Sequence, residues 1–438
     1  MHGYQEEQGG AEMIWIPLIV LAFTLCIGCP IYICMLCSGG IYFFMNPQVG
    51  TFIVPQLVNA GIMKFSFLAV PFFILSGVCM NAGGITKRLM SFCEVLIGHL
   101  RGGLAHVNIL LSTLMGGLSG SNVADCAMEA KMLVPEMERH GFSREYSAVI
   151  TAVSSLITPI IPPGVGMILY SFISDVSVGK MFMAGFIPGV LMCCEQMAIN
   201  AYISRKRGYV PVRERRARPK EVFNSAKTSL SALFFPVIII VGIRCGVFTA
   251  TEAGAIAVVY AVVLGLFLYR EATPRTIFRS FNDAAVTACN SLMIFGCANV
   301  FAWYVTNEKL SEAIAGVILQ FVQTPYAFMC MFIFICLILG MFLDGTTIMI
   351  ILIPLLLPAV RAMNIDFVYF GIIYLLCSAV GNVTPPVGVV MYTVCDITEV
   401  KVKDFTRECL PFYLIMVLNV LVLAACPGLI LFLPNLFR

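Results

Sequence analysis

Oxygen-bearing side chains recur where glycine and proline interrupt otherwise apolar sequence. Ser119, Ser121 and Asn122 lie in GGLSGSN (116–122), and Thr158 precedes Pro159 and Pro162-Pro163-Gly164. Asp344, Thr346 and Thr347 lie in DGTT (344–347), while Asn382 and Thr384 stand between Gly381 and Pro385-Pro386. A small cation that leaves water must exchange its shell for several oxygens. Hydroxyls, amides, carboxylates and the carbonyls of an unwound backbone supply them, whereas half-helix N-termini favour a carboxylate. Each residue also has a structural reading: Ser, Thr and Gly permit close helix packing, and Asp125 and Asp344 can cap helices. Asp344 is the stronger ligand candidate, because an ionisable group within a membrane segment is costly to keep.

The elements that must position these residues are membrane helices. Of 438 residues 60% are apolar and 12% charged, with a mean hydropathy of +0.94. That composition cannot cover a water-facing surface, so a soluble enzyme is excluded. The net charge of +3 is too small for a nucleic-acid footprint. Most of the eighteen cysteines lie in apolar runs, where Cys serves as a small hydrophobe. The pairs Cys26/Cys29 and Cys34/Cys37 have CxxC spacing but sit in lipid-grade sequence, which argues against zinc.

Lipid offers no partner to unpaired backbone groups, so long apolar runs imply helices. Runs occur at about 13–28, 30–45 and 65–82, the first two joined by a turn at Gly28–Pro30, and a more polar stretch to Arg101 reads as an interfacial amphipathic helix. Further spans are expected at about 229–247, 252–270, 282–304 and 410–432. The segment 205–220, with eight Lys/Arg against one Glu, marks the cytoplasmic side, as do the loop carrying Arg270, Arg275 and Arg279 and the cluster Lys401, Lys403 and Arg407. The acidic first thirteen residues fit an N-terminus on the outer, periplasmic side rather than a signal peptide.

Two segments do not read as simple spans. Apolar sequence after Leu104 is too short to cross before it breaks at 116–122, with basic residues at both ends, which predicts a re-entrant hairpin over 104–138. The next run, 143–175, is cut by Thr158-Pro159 and Pro162-Pro163-Gly164 into two half-helices. Adding 223 to the numbering takes Gly117 to Gly340, Ser121 to Asp344, Tyr146 to Tyr369 and Pro162-Pro163 to Pro385-Pro386. Beyond the second proline pair, Gly166 and Tyr170 match Gly388 and Tyr392 at 222. The loop count enters the second hairpin, about 325–363, from the opposite side. The expected fold is therefore an all-α polytopic membrane protein, an inverted repeat with two re-entrant helical hairpins and two broken helices. Such repeats point to a secondary transporter with its site near the midplane.

By the repeat logic two related cation sites are expected. One pairs Ser119, Ser121 and Asn122 with the break at Thr158; the other pairs Asp344, Thr346 and Thr347 with Gly381, Asn382 and Thr384. The anion is expected between the tips, against Ser119, Gly120, Pro162, Pro163, Gly164, Thr346, Pro385, Pro386 and Gly388. Arg101 reads as an interfacial anchor, His99 and His106 as packing residues, and Glu252 as a cap behind Thr249.

The segments PFFILSGVCMNAGGITKRL (71–89), GHLRGGLAHVN (98–108), GLSGSNVAD (117–125), PIIPPGVGMILY (159–170), GMFLD (340–344) and TPPVG (384–388) carry a family resemblance. Over about Gly28 to Pro434 the chain resembles the large membrane subunit of the tripartite ATP-independent periplasmic (TRAP) transporters, the DctM-like permeases. The resemblance implies an elevator-type fold of the ion transporter superfamily in a bacterial inner membrane and sodium-coupled uptake. It also implies a small four-helix membrane subunit and a periplasmic binding protein that delivers an organic anion such as a C4-dicarboxylate or a sialic acid. It implies no cofactor beyond the coupling sodium. Departures from the family pattern are Cys126, Met128, Glu129 and Lys131 where small residues are usual, Gly345 where Pro is common, and Cys377 where Asn is frequent.

The implied organisation has N-terminal scaffold helices and an arm (1–103), a first transport repeat (104–204), a basic linker (205–228), a second scaffold and arm (229–324), and a second transport repeat with the C-terminal span (325–438). A channel would need rings of identical residues around a pore, and an intramembrane enzyme a nucleophile or metal constellation; the sequence presents neither. The nearest rival is a proton- or sodium-coupled exporter or antiporter of the same superfamily, working without a binding protein.

Overall fold

The computed structural model describes residues 15–46 and 48–436, so the acidic N-terminal stretch read as periplasmic lies outside the described residues. Among the described residues the secondary structure is helical. Among the described residues six helices are long and apolar enough to cross a membrane, and two bent pairs reach that length together.

Both hairpins form where glycine and polar residues stop one helix and a side-chain cap starts the next. The first runs Gly103–Gly116 and Asn122–Arg139, the second Pro325–Gly340 and Gly345–Ala362. Ser121 caps the second limb of the first hairpin by accepting from Ala124 N, and Asp344 does the same for the second hairpin from Thr347 N at 3.1 Å. The broken helices follow, Arg144–Ser155 with Val165–Ser174 and Phe367–Gly381 with Val389–Thr398. Ser143 caps the first, accepting from Tyr146 N at 3.3 Å, and Asp366 caps the second, accepting from Val368 N at 2.7 Å. Each pair of caps keeps the spacing of 223. The Pro162-Pro163 and Pro385-Pro386 peptide bonds are both cis.

Beyond the prolines the register departs from the sequence reading. The next half-helices start after Gly164 and Gly388 and end at Asp175 and Glu399, both with left-handed backbone, so these positions correspond at 224 rather than 222. Tyr170 is buried and donates to Phe367 O at 2.7 Å, whereas Tyr392 is exposed; the two tyrosines are not equivalent. The tyrosines matched at 223 are: Tyr146 OH donates to Asn200 Oδ1 and Tyr369 OH to Ala424 O, each at 2.7 Å. Both acceptors lie on the long helix that follows the broken one, Val178–Arg207 or Val402–Ala425.

The repeats interlock reciprocally. The second limb of the first hairpin packs on Val389–Thr398, and the second limb of the other hairpin packs on Val165–Ser174. Around them, Ile31–Met45, Ile53–Ile62 and Ala69–Ala82 pack on Pro274–Asn307, and Ala69–Ala82 also packs on Ala250–Val263. At Gly83-Gly84 the chain turns by 68° into the amphipathic helix Ile85–Ile97, which packs against the first hairpin and Pro219–Arg244. Arg88 holds this arm in place, bonding Glu271 at 2.6 Å with its guanidinium 3.8 Å over the Tyr269 ring.

Several span boundaries differ from the sequence reading, and the span expected at about 229–247 is the helix Pro219–Arg244, which begins inside the stretch read as a basic linker. Arg275 and Arg279 belong to no loop: Thr273 caps a 34-residue helix, Pro274–Asn307, with Pro274 in its first turn, where its missing N–H costs nothing. The last run is two helices, Val402–Ala425 and Pro427–Leu436, because Pro427 cannot donate to the preceding turn.

Candidate functional site

A chamber of about 410 Å³ opens where the tips, the breaks and two surrounding helices converge. Four half-helices begin at its wall: Ser121 to Asp125, Val165-Gly166, Asp344 to Thr346, and Val389 all line it. The last turn of Phe367–Gly381 contributes Ser378 and Ala379, Ala69–Ala82 contributes Gly77 and Asn81, and Pro274–Asn307 contributes Thr287 and Ser291. Two of the four N-termini, those after Gly164 and Gly388, have no side-chain cap; after Gly388 the amides of Val390 and Met391 donate instead to Asn382 O, at 2.9 and 3.2 Å.

Each tip meets the break of its own repeat. Gly120, with φ +63°, brings its Cα so close that a Cβ would lie 3.2 Å from Pro163 O and 3.1 Å from Val165 N. In the second repeat Val387 N–H donates to Met341 O at 2.9 Å. Gly340 and Gly381 cross backbone to backbone, and a Cβ on Gly381 would stand 2.6 Å from Gly340 Cα.

Of the residues singled out from sequence, Ser119, Gly120, Ser121, Asn122, Asp344, Thr346 and Asn382 line the chamber. Thr158 lies behind it, fully buried beside Asp125, its hydroxyl donating to Ser112 O at 3.4 Å. Thr347 is buried and its hydroxyl bonds Asp344. Thr384 donates to Val380 O at 2.7 Å within its own helix end. Pro162, Pro163, Gly164, Gly381, Pro385, Pro386 and Gly388 shape the walls without lining the chamber. The two proline corners differ: Pro162 and Pro163 are buried, while Pro386 and Val387 are exposed.

The two candidate aspartates occupy different positions. Asp344 caps its helix, its carboxylate accepting the amide and the hydroxyl of Thr347. Asp125 caps nothing. It is buried inside the first turn that Ser121 caps, beside the hydroxyls of Ser119 and Thr158, and its Oδ2 finds no hydrogen-bond partner among the described residues. Elsewhere the capping reading of Glu252 holds, with Thr249 N donating to Glu252 Oε2 at 2.8 Å and Glu252 N to Thr249 Oγ1 at 3.3 Å.

Sequence reasoning did not assign Ser378, Asn81, Thr287 and Ser291 to the site: Ser378 closes the half-helix before the second break, Asn81 ends the helix before Gly83-Gly84, and Thr287 and Ser291 lie on the unbroken Pro274–Asn307. It noted Glu129 only as unusual. This carboxylate is fully buried, and Ser112 Oγ, on the facing limb of the hairpin, lies 2.7 Å from one of its oxygens and 3.0 Å from the other. Behind it Asn108 donates to Thr151 Oγ1 at 2.8 Å and accepts from Ser154 Oγ at 3.1 Å, tying the hairpin to the first broken helix.

A family model described as the tripartite ATP-independent periplasmic transporter, DctM component, matches residues 18–429. The sialic acid TRAP transporter large permease protein SiaM of Vibrio cholerae serotype O1 is 34% identical over 411 residues, covering 94% of this chain and 96% of the relative. The 2,3-diketo-L-gulonate TRAP transporter large permease protein YiaN of Escherichia coli K12 is 35% identical over 421 residues, covering 94% and 98%. Among solved structures, the Alcanivorax borkumensis YdaH transporter matches with a TM-score of 0.62 at 14% identity, covering 88% of this chain and 89% of that one, a likeness of fold. With the repeat, its broken helices and a family match over nearly the whole length, the chain is a multi-pass membrane protein that belongs to the DctM component family of tripartite ATP-independent periplasmic transporters.

Proposed function

We propose that this chain takes up an organic anion, a carboxylate of the C4-dicarboxylate or sialic acid class, across a bacterial inner membrane, driven by sodium entry. The observation that carries this reading is the charge inventory of the chamber. Its described lining holds two carboxylates, Asp125 and Asp344, and no Lys, Arg or His. A carboxylate cargo would be repelled there unless small cations intervened. Four half-helix N-termini favour the anion, and oxygens of Ser119, Ser121, Asn122, Thr346 and Asn382, with the unpartnered Asp125 Oδ2, suit sodium. Co-binding of cation and anion follows from one cavity chemistry. The substrates named for SiaM and YiaN, a sialic acid and 2,3-diketo-L-gulonate, are both carboxylates.

In this reading the hairpins and broken helices move as one body against the scaffold helices and the arm, carrying the chamber across the membrane as an elevator. A small four-helix subunit completes the scaffold, a periplasmic binding protein delivers the anion, and the N-terminus faces the periplasm. Two sodium ions with a monoanion carry one net charge, which a potential of about 100 mV drives with about 2.3 kcal/mol. The test is uptake into proteoliposomes containing the small subunit and the loaded binding protein. Uptake is expected to follow an inward sodium gradient; uptake that ignores sodium and follows a proton gradient overturns the coupling.

A further inference from the structure

A second hollow, of about 710 Å³, lies between Val178–Arg207 and Val402–Ala425. Its lining divides into two chemistries. Ile199, Ile203, Leu414 and Leu418 form an aliphatic slot, and Lys206, Arg207, Arg407 and Glu408 stand where the two helices carry their basic ends.

The charges at this mouth do not cancel. Glu408 pairs with Arg207, whose guanidinium also lies 5.1 Å over the Tyr146 ring. Lys206 and Arg407 are exposed and have no carboxylate partner among the described residues. Two uncompensated cations therefore border a slot whose walls are as apolar as lipid. A small soluble anion would satisfy the cations and leave the slot empty. A zwitterionic lipid would fill the slot and leave the cations unneutralised. Only an amphiphile with a negatively charged head matches both, and basic pockets between helices at the cytoplasmic boundary recognise such head groups.

We propose that this groove is a binding site for an anionic phospholipid, its phosphate between Lys206 and Arg407 and an acyl chain along Ile199, Leu414 and Leu418. The site adjoins the transport machinery: Arg207 stacks on Tyr146, and the Tyr146 hydroxyl bonds Asn200 on the helix that forms one wall of the groove. Bound lipid thereby braces the first broken helix through its neighbour.

The test uses the full chain in neutral detergent, titrated with phosphatidylglycerol, with phosphatidylcholine of the same acyl chains, and with inorganic phosphate, and followed by thermal unfolding. Phosphatidylglycerol is expected to raise the midpoint saturably, and the other two to leave it unchanged. Lys206→Gln and Arg407→Gln should each weaken phosphatidylglycerol binding roughly fivefold. Lys401→Gln with Lys403→Gln, exposed cations outside the groove, should leave it unaltered. Leu418→Trp, which fills the slot, should weaken binding with every charge kept. An equal response to both lipids, full retention by the Lys206/Arg407 double variant, or reproduction by phosphate alone overturns the proposal. So does a photoreactive side chain at position 414 that, in membranes, captures a polypeptide in place of lipid.

Discussion

Gly340 and Gly381 touch through their backbones, so that the second hairpin and the second broken helix cross with nothing between them. A methyl on Gly340 would stand 3.0 Å from Gly381 Cα, and one on Gly381 2.6 Å from Gly340 Cα, against atoms that cannot rotate away. Overpacking of this kind costs about 1–3 kcal/mol. Gly340→Ala and Gly381→Ala are each expected to lower the thermal midpoint of the purified protein. Gly316→Ala, with nothing within 4 Å, should not.

The departure at Gly345 has a local cause that can be measured. A Cβ there would fall 1.9 Å from Ser378 Oγ, and the Gly345 carbonyl accepts from Tyr374 OH. Gly345→Ala should impair uptake, and adding Ser378→Ala should restore part of it by removing the colliding hydroxyl. Additive losses in a double-mutant cycle, with no coupling between neighbours in contact, would contradict the geometry.

Capping and ion binding at Asp344 separate by choice of substitution. Asp344→Ala removes the cap and is expected to cost about 1 kcal/mol of stability, whereas Asp344→Asn retains it. If the carboxylate also holds sodium, the Asn variant keeps its thermal midpoint and needs more sodium for half-maximal uptake. Asp125→Asn should likewise raise the sodium requirement, and Ser121→Ala should impair sodium-dependent uptake while the chain still inserts. Unchanged sodium activation in all of these variants would remove the site assignment.

Glu129 offers a test of what a buried carboxyl costs. It has one hydroxyl neighbour and sits where the family pattern prefers a small residue, so an apolar side chain of similar volume should be tolerated. Glu129→Leu is expected to leave the thermal midpoint unchanged or raised. Glu129→Ala, which leaves a cavity, should lower stability by about 2 kcal/mol. A large loss with Leu would mean that the carboxyl makes an essential contact in the native state.

The breaks were legible because Gly and Pro act on the backbone locally: GGLSGSN, the two proline pairs and the DGTT tip each end or begin a helix where expected. The boundaries that escaped depend on competition between signals. Arg275 and Arg279 suggested a loop, but Thr273 and Pro274 form a stronger helix start, and the charges ride on the first turns. Pro427 split the last run although the apolar stretch continued. The match of Gly166 and Tyr170 to Gly388 and Tyr392 followed letter similarity, while the helix caps set the register two residues away. Ser378, Asn81 and Glu129 were illegible for a different reason: their neighbours come from other helices or the facing hairpin limb, and spacing along the chain carries no record of that approach.

The proline corners of the two repeats are chemically alike yet differently sheltered, Pro162-Pro163 sealed within the protein and Pro386-Val387 left uncovered. A molecule made of two equivalent halves that adopt unequal environments holds a direction. In the uptake proposed above, an exchange of those environments, the first corner emerging as the second is shut in, would turn the cleft toward the opposite side of the membrane.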